Sequence, residues 1–142
     1  MYDRILLATD GSDHAETVAA HAVDIAQTRD ATLTIVSVVD DRAFLVLGDD
    51  HVQSVRNELR TRAREAAETA ASIAADAGLE ARIVVDTGSP AECILACADD
   101  VDADLIVMGT SGDNYEKNVV GSVSERVFRT ARTPVLTVGA DA

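Results

Sequence analysis

Met108-Gly-Thr-Ser-Gly-Asp-Asn-Tyr-Glu-Lys-Asn-Val-Val-Gly-Ser-Val-Ser124 is the stretch on which the reading of this chain turns. The apolar run Leu105-Ile-Val-Met108 enters it and reads as a buried strand; residues 122–131 leave it and read as a helix. Between them lie Gly109, Gly112, Gly121 and the hydroxyl of Ser122. Glycine lets backbone approach a ligand closely. The bare N–H groups and positive dipole end of a helix start suit an anion. Strand, glycine loop and helix N-terminus together make a candidate phosphate cradle.

The same alternation extends outward to both ends of the chain. Arg4-Ile-Leu-Leu-Ala-Thr9 reads as a strand ending in Asp10-Gly11-Ser12, with Ser12 as helix N-cap. Ala15, Val18, Ala19, Ala22, Ile25 and Ala26 then recur at helical spacing, predicting a helix over 13–29. Residues 31–39 form a second, almost continuously apolar strand, the pattern of strands covered on both faces of a parallel sheet. Residues 40–50, with four aspartates bracketing Phe44-Leu-Val-Leu47, read either as a loop over the site or as a short helical turn. A helix over 51–77 carries the stripe Val52, Val55, Leu59, Ala63, Ala66, Ala70, Ile73, Ala77 and ends at Gly78, a left-handed cap. A strand over 80–86 follows, then Thr87-Gly-Ser-Pro90 with Ser89 as cap and Pro90 in the first helical position. The helix runs to about 99, a strand covers 103–108, and Thr133-Pro-Val-Leu-Thr-Val138 is the last strand, entered through a proline.

The order β-α-β-α-β-α-β-α-β predicts a three-layer α/β open sandwich, a five-stranded parallel sheet with four helices on its two faces. Such sheets bind ligands beyond the carboxyl ends of their strands, where strand order reverses. Asp10, Val38, Gly88 and Gly109 all lie at such ends.

Composition narrows the function. At 142 residues one domain is the simplest expectation, and with 3% aromatic residues Val, Ile, Leu and Ala must do the packing. Net charge is −13, which argues against nucleic acid and against anionic membranes as partners. So acidic a chain, with Lys117 as its one lysine, suits a salt-rich cytoplasm in which repulsion is screened. The start, Met1-Tyr-Asp-Arg-Ile5, holds no room for a signal peptide, and no apolar run reaches ~20 residues, so a cytoplasmic protein is expected. Cys93 and Cys97 lack the companions a zinc site needs and read as small helical thiols. His14, His21 and His51 show no ligand spacing and read as surface residues, and Arg56, Arg60 and Arg64 read as a solvated helix face.

These residues resemble the universal stress protein family over nearly the whole chain. The resemblance rests on Ile5-Leu-Leu-Ala-Thr-Asp-Gly-Ser12, Val36-Ser-Val-Val39, Gly88-Ser-Pro90, Asp102-Ala-Asp-Leu-Ile-Val-Met-Gly-Thr110, Gly121-Ser-Val-Ser-Glu-Arg-Val127 and Thr133-Pro-Val-Leu-Thr-Val138. It implies strand order 3-2-1-4-5, an adenine nucleotide α-hydrolase-like, Rossmann-like sheet. It also implies a homodimer through the edge of the fifth strand, residues 133–138. In the branch of the family that binds ATP, with Mg²⁺ or Mn²⁺ held by the phosphates, the loop reads Gly-x2-Gly-x9-Gly-Ser/Thr. Here Gly109, Gly112 and Gly121-Ser122 match, with eight residues in place of nine before Gly121 and with Asp113 and Glu116 in the loop. By this resemblance Asp10, with Ala8 and Thr9, would face ribose or adenine, and Val38 and Gly88 would line the adenine slot. Met108, Gly109, Thr110 and Gly112 would wrap ribose and phosphate, and Gly121, Ser122 and Val123 would hold phosphates.

Two functions stay open on these grounds: an ATP-binding stress-response module, and a dimeric interaction module of the same fold without nucleotide. An enzyme is not expected. Thr9-Asp-Gly-Ser-Asp13 lacks the paired glycines of the ATP-hydrolysing relatives, and there is neither a P-loop Gly-Lys-Ser nor a catalytic triad legible from spacing.

Overall fold

A computed structural model describes residues 1–44, 49–110 and 121–139. The expected Gly112 contact and the Asp113, Glu116 and Lys117 side chains lie outside the described residues. Five strands, β1 (Arg4–Ala8), β2 (Thr32–Asp40), β3 (Ala81–Gly88), β4 (Leu105–Gly109) and β5 (Val135–Val138), alternate with four helices. The helices are α1 (Ala15–Arg29), α2 (Asp49–Asp76), α3 (Pro90–Asp100) and α4 (Ser122–Thr130). The strands form one sheet, all parallel, in order β3-β2-β1-β4-β5. Helices α1 and α2 cover one face and α3 and α4 the other, so the expected three layers and strand order both stand.

The continuous apolar runs are explained by this burial. β1 sits at the centre with Leu6 and Leu7 fully buried, their side chains passing to opposite faces. Leu7, with Ile5, Ile35 and Val107, meets alanines of α1 and α2 (Ala19, Ala22, Ala26, Ala67, Ala70, Ala74). Leu6 meets Val36, Ile94, Ile106, Met108 and Val127 under α3 and α4. The buried line of α2 is Ala63, Ala67, Ala70, Ala74, spaced four, three, four. The expected stripe therefore slips by one residue at Ala66 and misses Ala67 and Ala74. With alanine in every third or fourth place, periodicity alone does not choose between neighbouring faces.

Element ends differ from expectation for local reasons. α1 starts at Ala15 with His14 as its N-cap residue, not Ser12. Asp10 Oδ1 accepts the Ser12 N–H at 2.9 Å, a turn that commits Ser12 to the loop. The Ala103 N–H returns to the Ala98 carbonyl at 2.9 Å, closing α3, so β4 begins at Leu105 and not at 103. The exits of α1 and α3 use Asp30 (φ 54°) and Asp102 (φ 53°), aspartate being among the side chains that tolerate the left-handed region. The ambiguous segment after β2 opens as a 3₁₀ turn, Asp41–Phe44.

Candidate functional site

Crossovers leave β1 toward β2 on one side and β4 lies on the other, so strand order reverses between β1 and β4. A cleft of about 310 Å³ opens there, at the low end of the range for small-molecule sites. Its walls come from the carboxyl ends of β1 (Ala8, then Thr9 and Asp10), β2 (Val38, Asp40) and β4 (Met108, Gly109), and from the start of α4 (Gly121, Ser122, Val123). These groups lie far apart in sequence; parallel pairing, Ala8 beside Val36 and Leu7 beside Val107, brings them together.

The floor at Gly109 is tied down. The buried Ser124 donates its hydroxyl to the Gly109 carbonyl at 2.6 Å, fixing the first turn of α4 to the end of β4. The Gly121 N–H donates to the Thr110 carbonyl at 2.6 Å, and the Thr110 N–H to Val138 at 3.1 Å. Thr110 and Gly121 are therefore held side by side. Gly121 is the N-cap residue of α4, with extended φ −71° and ψ 163°, and Ser122 the first helical residue; among the described residues no side chain caps this end. A hydroxyl in the first helical position is one residue past the N-cap, from which a side-chain oxygen accepts the N–H of the second or third helical residue. The first intrahelical bond runs from Glu125 to Gly121. The N–H groups of Ser122, Val123 and Ser124 thus have no partner within the helix, and the cleft faces them.

Nine of the expected contact residues line this cleft: Ala8, Thr9, Asp10, Val38, Met108, Gly109, Gly121, Ser122 and Val123. Thr110 sits at the loop base, with N–H and C=O both committed. Gly88 ends β3 beyond the cleft wall, at φ 157°, where an added Cβ would stand 2.9 Å from Cys93 Sγ. Gly88→Ala is accordingly expected to cost about 1–3 kcal/mol from strain and overpacking together. Thermal melting should show a fall of roughly 3–10 °C; an unchanged Tm would show that β3 ends without constraint.

Sequence reasoning missed two features of the wall. Asp40 lines the cleft in a fork with Arg42, whose Nε reaches Oδ1 and Oδ2 at 3.0 and 3.1 Å. This guanidinium holds the Asp40 carboxyl below its usual range. His14 is not a solvated surface residue: it lines the cleft, and its Nε2 is buried without a hydrogen-bond partner among the described residues. A clue lay in its place one turn after a strand end, but Gly109, the residue it packs on, is ninety-five positions away.

The two thiols are held toward their protonated forms. Burial, and next the Asp86 carboxylate, push the Cys93 thiol up to about 11, and burial also raises Cys97. At pH 8 only about one Cys93 in a thousand is then thiolate, against roughly one in four for an ordinary cysteine. Higher intrinsic nucleophilicity offsets part of this. Alkylation of Cys93 by iodoacetamide, followed by mass spectrometry, should be slower than that of a free thiol by about tenfold or more, accelerating toward pH 11. Equal rates at pH 8 would contradict this environment. Among the described residues no group of three or more His, Cys, Asp or Glu is placed to hold a metal ion, and no described helix is long and apolar enough to cross a membrane.

The family model described as "Universal stress protein family" matches residues 1–139. A universal stress protein of Methanocaldococcus jannaschii is 36% identical over 140 residues, covering 97% of this chain and 82% of that protein. The solved structure of UspA from Lactobacillus plantarum superposes with a TM-score of 0.83 at 29% identity, covering 96% of this chain and 97% of that one. A universal stress protein of Archaeoglobus fulgidus in complex with dAMP superposes at 0.71 and 27% identity. A universal stress protein in complex with cAMP superposes at 0.72 and 27%; both cover 96% of this chain and 97% of theirs.

Proposed function

The chain belongs to the universal stress protein family, and within that family we propose an ATP-binding regulatory module of the stress response, working as a cytoplasmic homodimer and not as an enzyme. The observation that carries this reading is the N-terminus of α4, uncapped among the described residues, facing a cleft at the switch point of the sheet. The residues present fit a nucleotide. Val38 and Met108 offer apolar walls for a base, and Asp10 and Thr9 offer polar atoms for sugar hydroxyls. The N–H groups of Ser122 and Val123 would take phosphate oxygens. Mg²⁺ or Mn²⁺ would come with the phosphates, whose charge it would reduce. The relatives that hold dAMP and cAMP support an adenine ligand. Binding would change the surface shown to protein partners.

Titration calorimetry with ATP and Mg²⁺ in molar KCl tests this. The expected result is saturable heat with a matching rise in Tm, and no phosphate release from purified protein. Absence of both heat and protection would sink it.

A second reading, a dimeric interaction module without nucleotide, draws on one observation. The ionisable side chains of the described wall include Asp10 and Asp40 but no Lys or Arg. Carboxylates beside a polyphosphate cost affinity, and the Arg42 guanidinium forked to Asp40 offsets only one of the two. The two readings share the dimer. Among the described strands β5 pairs only with β4, leaving its outer edge, within residues 133–138, open for a second copy. Light scattering should give twice the 14.9 kDa chain mass; a monomer at all concentrations would exclude it.

A further inference from the structure

His14 is the one buried polar side-chain atom without a partner among the described residues, and it stands in the cleft wall. Its ring lies on Gly109: a Cβ there would be 2.9 Å from Nε2 and 3.4 Å from Cε1, so only glycine leaves the ring this place. Gly109 is in turn bonded through its carbonyl to Ser124 in the first turn of α4. The His14 ring and the N–H groups of the first turn of α4 therefore flank the same end of the cleft. Of the described lining residues His14 is also the only side chain able to carry positive charge; the other ionisable ones are Asp10 and Asp40. A buried nitrogen with no partner forgoes the hydrogen bond that water gave it, and native proteins keep few such atoms.

We infer that His14 is the phosphate-contacting side chain of this cleft: when a nucleotide binds, Nε2 donates a hydrogen bond to a phosphoryl oxygen. The inference rests on the nucleotide reading above and assigns within it a residue that the glycine-loop motif does not contain. It names the ligand class as a phosphorylated nucleoside, not a free nucleoside. It also accounts for the orphaned nitrogen, since the bound anion supplies the missing partner. Asp40 is already paired with Arg42, and the donor at His14 further offsets the carboxylates where the phosphate lies.

Calorimetry on His14→Phe and His14→Gln with ATP and with adenosine tests it. Phenylalanine keeps a ring on Gly109 and removes the nitrogen; glutamine keeps a donor. The expected result is about tenfold weaker ATP binding by His14→Phe, unchanged adenosine binding, partial recovery in His14→Gln, and an empty His14→Phe protein that melts no lower than wild type. That split between affinity and stability is what a purely structural histidine would not give. ATP binding by His14→Phe at wild-type strength, or an equal loss for ATP and adenosine, would overturn the assignment. Wild-type protein that binds neither ligand would instead remove the nucleotide reading itself. Long-range ¹H–¹⁵N spectra of the wild-type histidines give the answer without any variant: the Nε2 signal of His14 should move on adding ATP and stay still on adding adenosine. No movement with saturating ATP overturns the inference.

Discussion

Leu7→Ala should lose about 4 kcal/mol of folding free energy, more than Leu6→Ala one position earlier. Both side chains are fully buried in the central strand, so the transfer loss is the same. What differs is what can move into the void. Leu7 faces α1 and α2, which meet the sheet largely through Ala19, Ala22, Ala26, Ala67, Ala70 and Ala74. An alanine has no rotamers with which to fill a hole, and the helices cannot shift without breaking their other contacts. The cavity therefore stays, and cost rises with residual cavity volume at about 24 cal/mol per Å³. Leu6 faces Met108, Ile94 and Val127, of which methionine in particular adapts to gaps. About 3 kcal/mol is expected there. Against a total stability of roughly 5–15 kcal/mol either loss is large. Urea titration of both variants under one salt condition gives the comparison, and a Leu6→Ala loss equal to or larger than that of Leu7→Ala would refute the argument from alanine-rich helices.

That asymmetry also explains how far the chain could be read from sequence. Continuous apolar strands alternating with amphipathic segments leave a parallel sheet as the economical solution, and the helix and strand count follows. Leu105 to Gly109 and Ser122 to Thr130 are legible because an unbroken apolar run and a glycine-flanked helix start are local signals. The face of α2 is less so, because Ala66 and Ala67 differ in burial and not in chemistry. Ser12 shows why capping is hard to place. A serine before a helix is a sound cap signal, but the Ser12 carbonyl takes the Ala15 N–H in a tight turn and the first helical bond runs from Val18 to His14, so the helix starts at Ala15. The cleft was legible as a set of strand ends, since topology gathers those regardless of side chain. Gly88 and Thr110 lie at strand ends too, yet outside the wall, one at the flank of the sheet and one tied into the loop base. His14 was illegible, because its environment depends on Gly109 across the β1–β4 pairing.

Ser122→Pro should weaken ATP binding ten- to over a hundredfold while leaving the fold intact. Proline is welcome in the first helical position, where its missing N–H has no intrahelical partner to lose. The preceding Gly121 already has the extended backbone that proline demands of its neighbour. Ser122 is exposed, so little packing changes, and the bonds Gly121 to Thr110 and Ser124 to Gly109 are untouched. What the cleft loses is one N–H at the positive end of α4 and the hydroxyl beside it. Hydrogen bonds to a charged oxygen are worth about 1.5–3 kcal/mol, which is that fold-change in affinity. Ser122→Ala removes the hydroxyl alone and should fall between the variant and wild type. The two substitutions thus apportion the anion seat between backbone and side chain. Calorimetry with ATP and Mg²⁺, beside a melting curve of the empty proteins, reads both quantities. Wild-type ATP affinity in Ser122→Pro with Tm unchanged would mean that α4 does not seat the phosphates, and the case for an ATP-binding module would lose the observation that carries it.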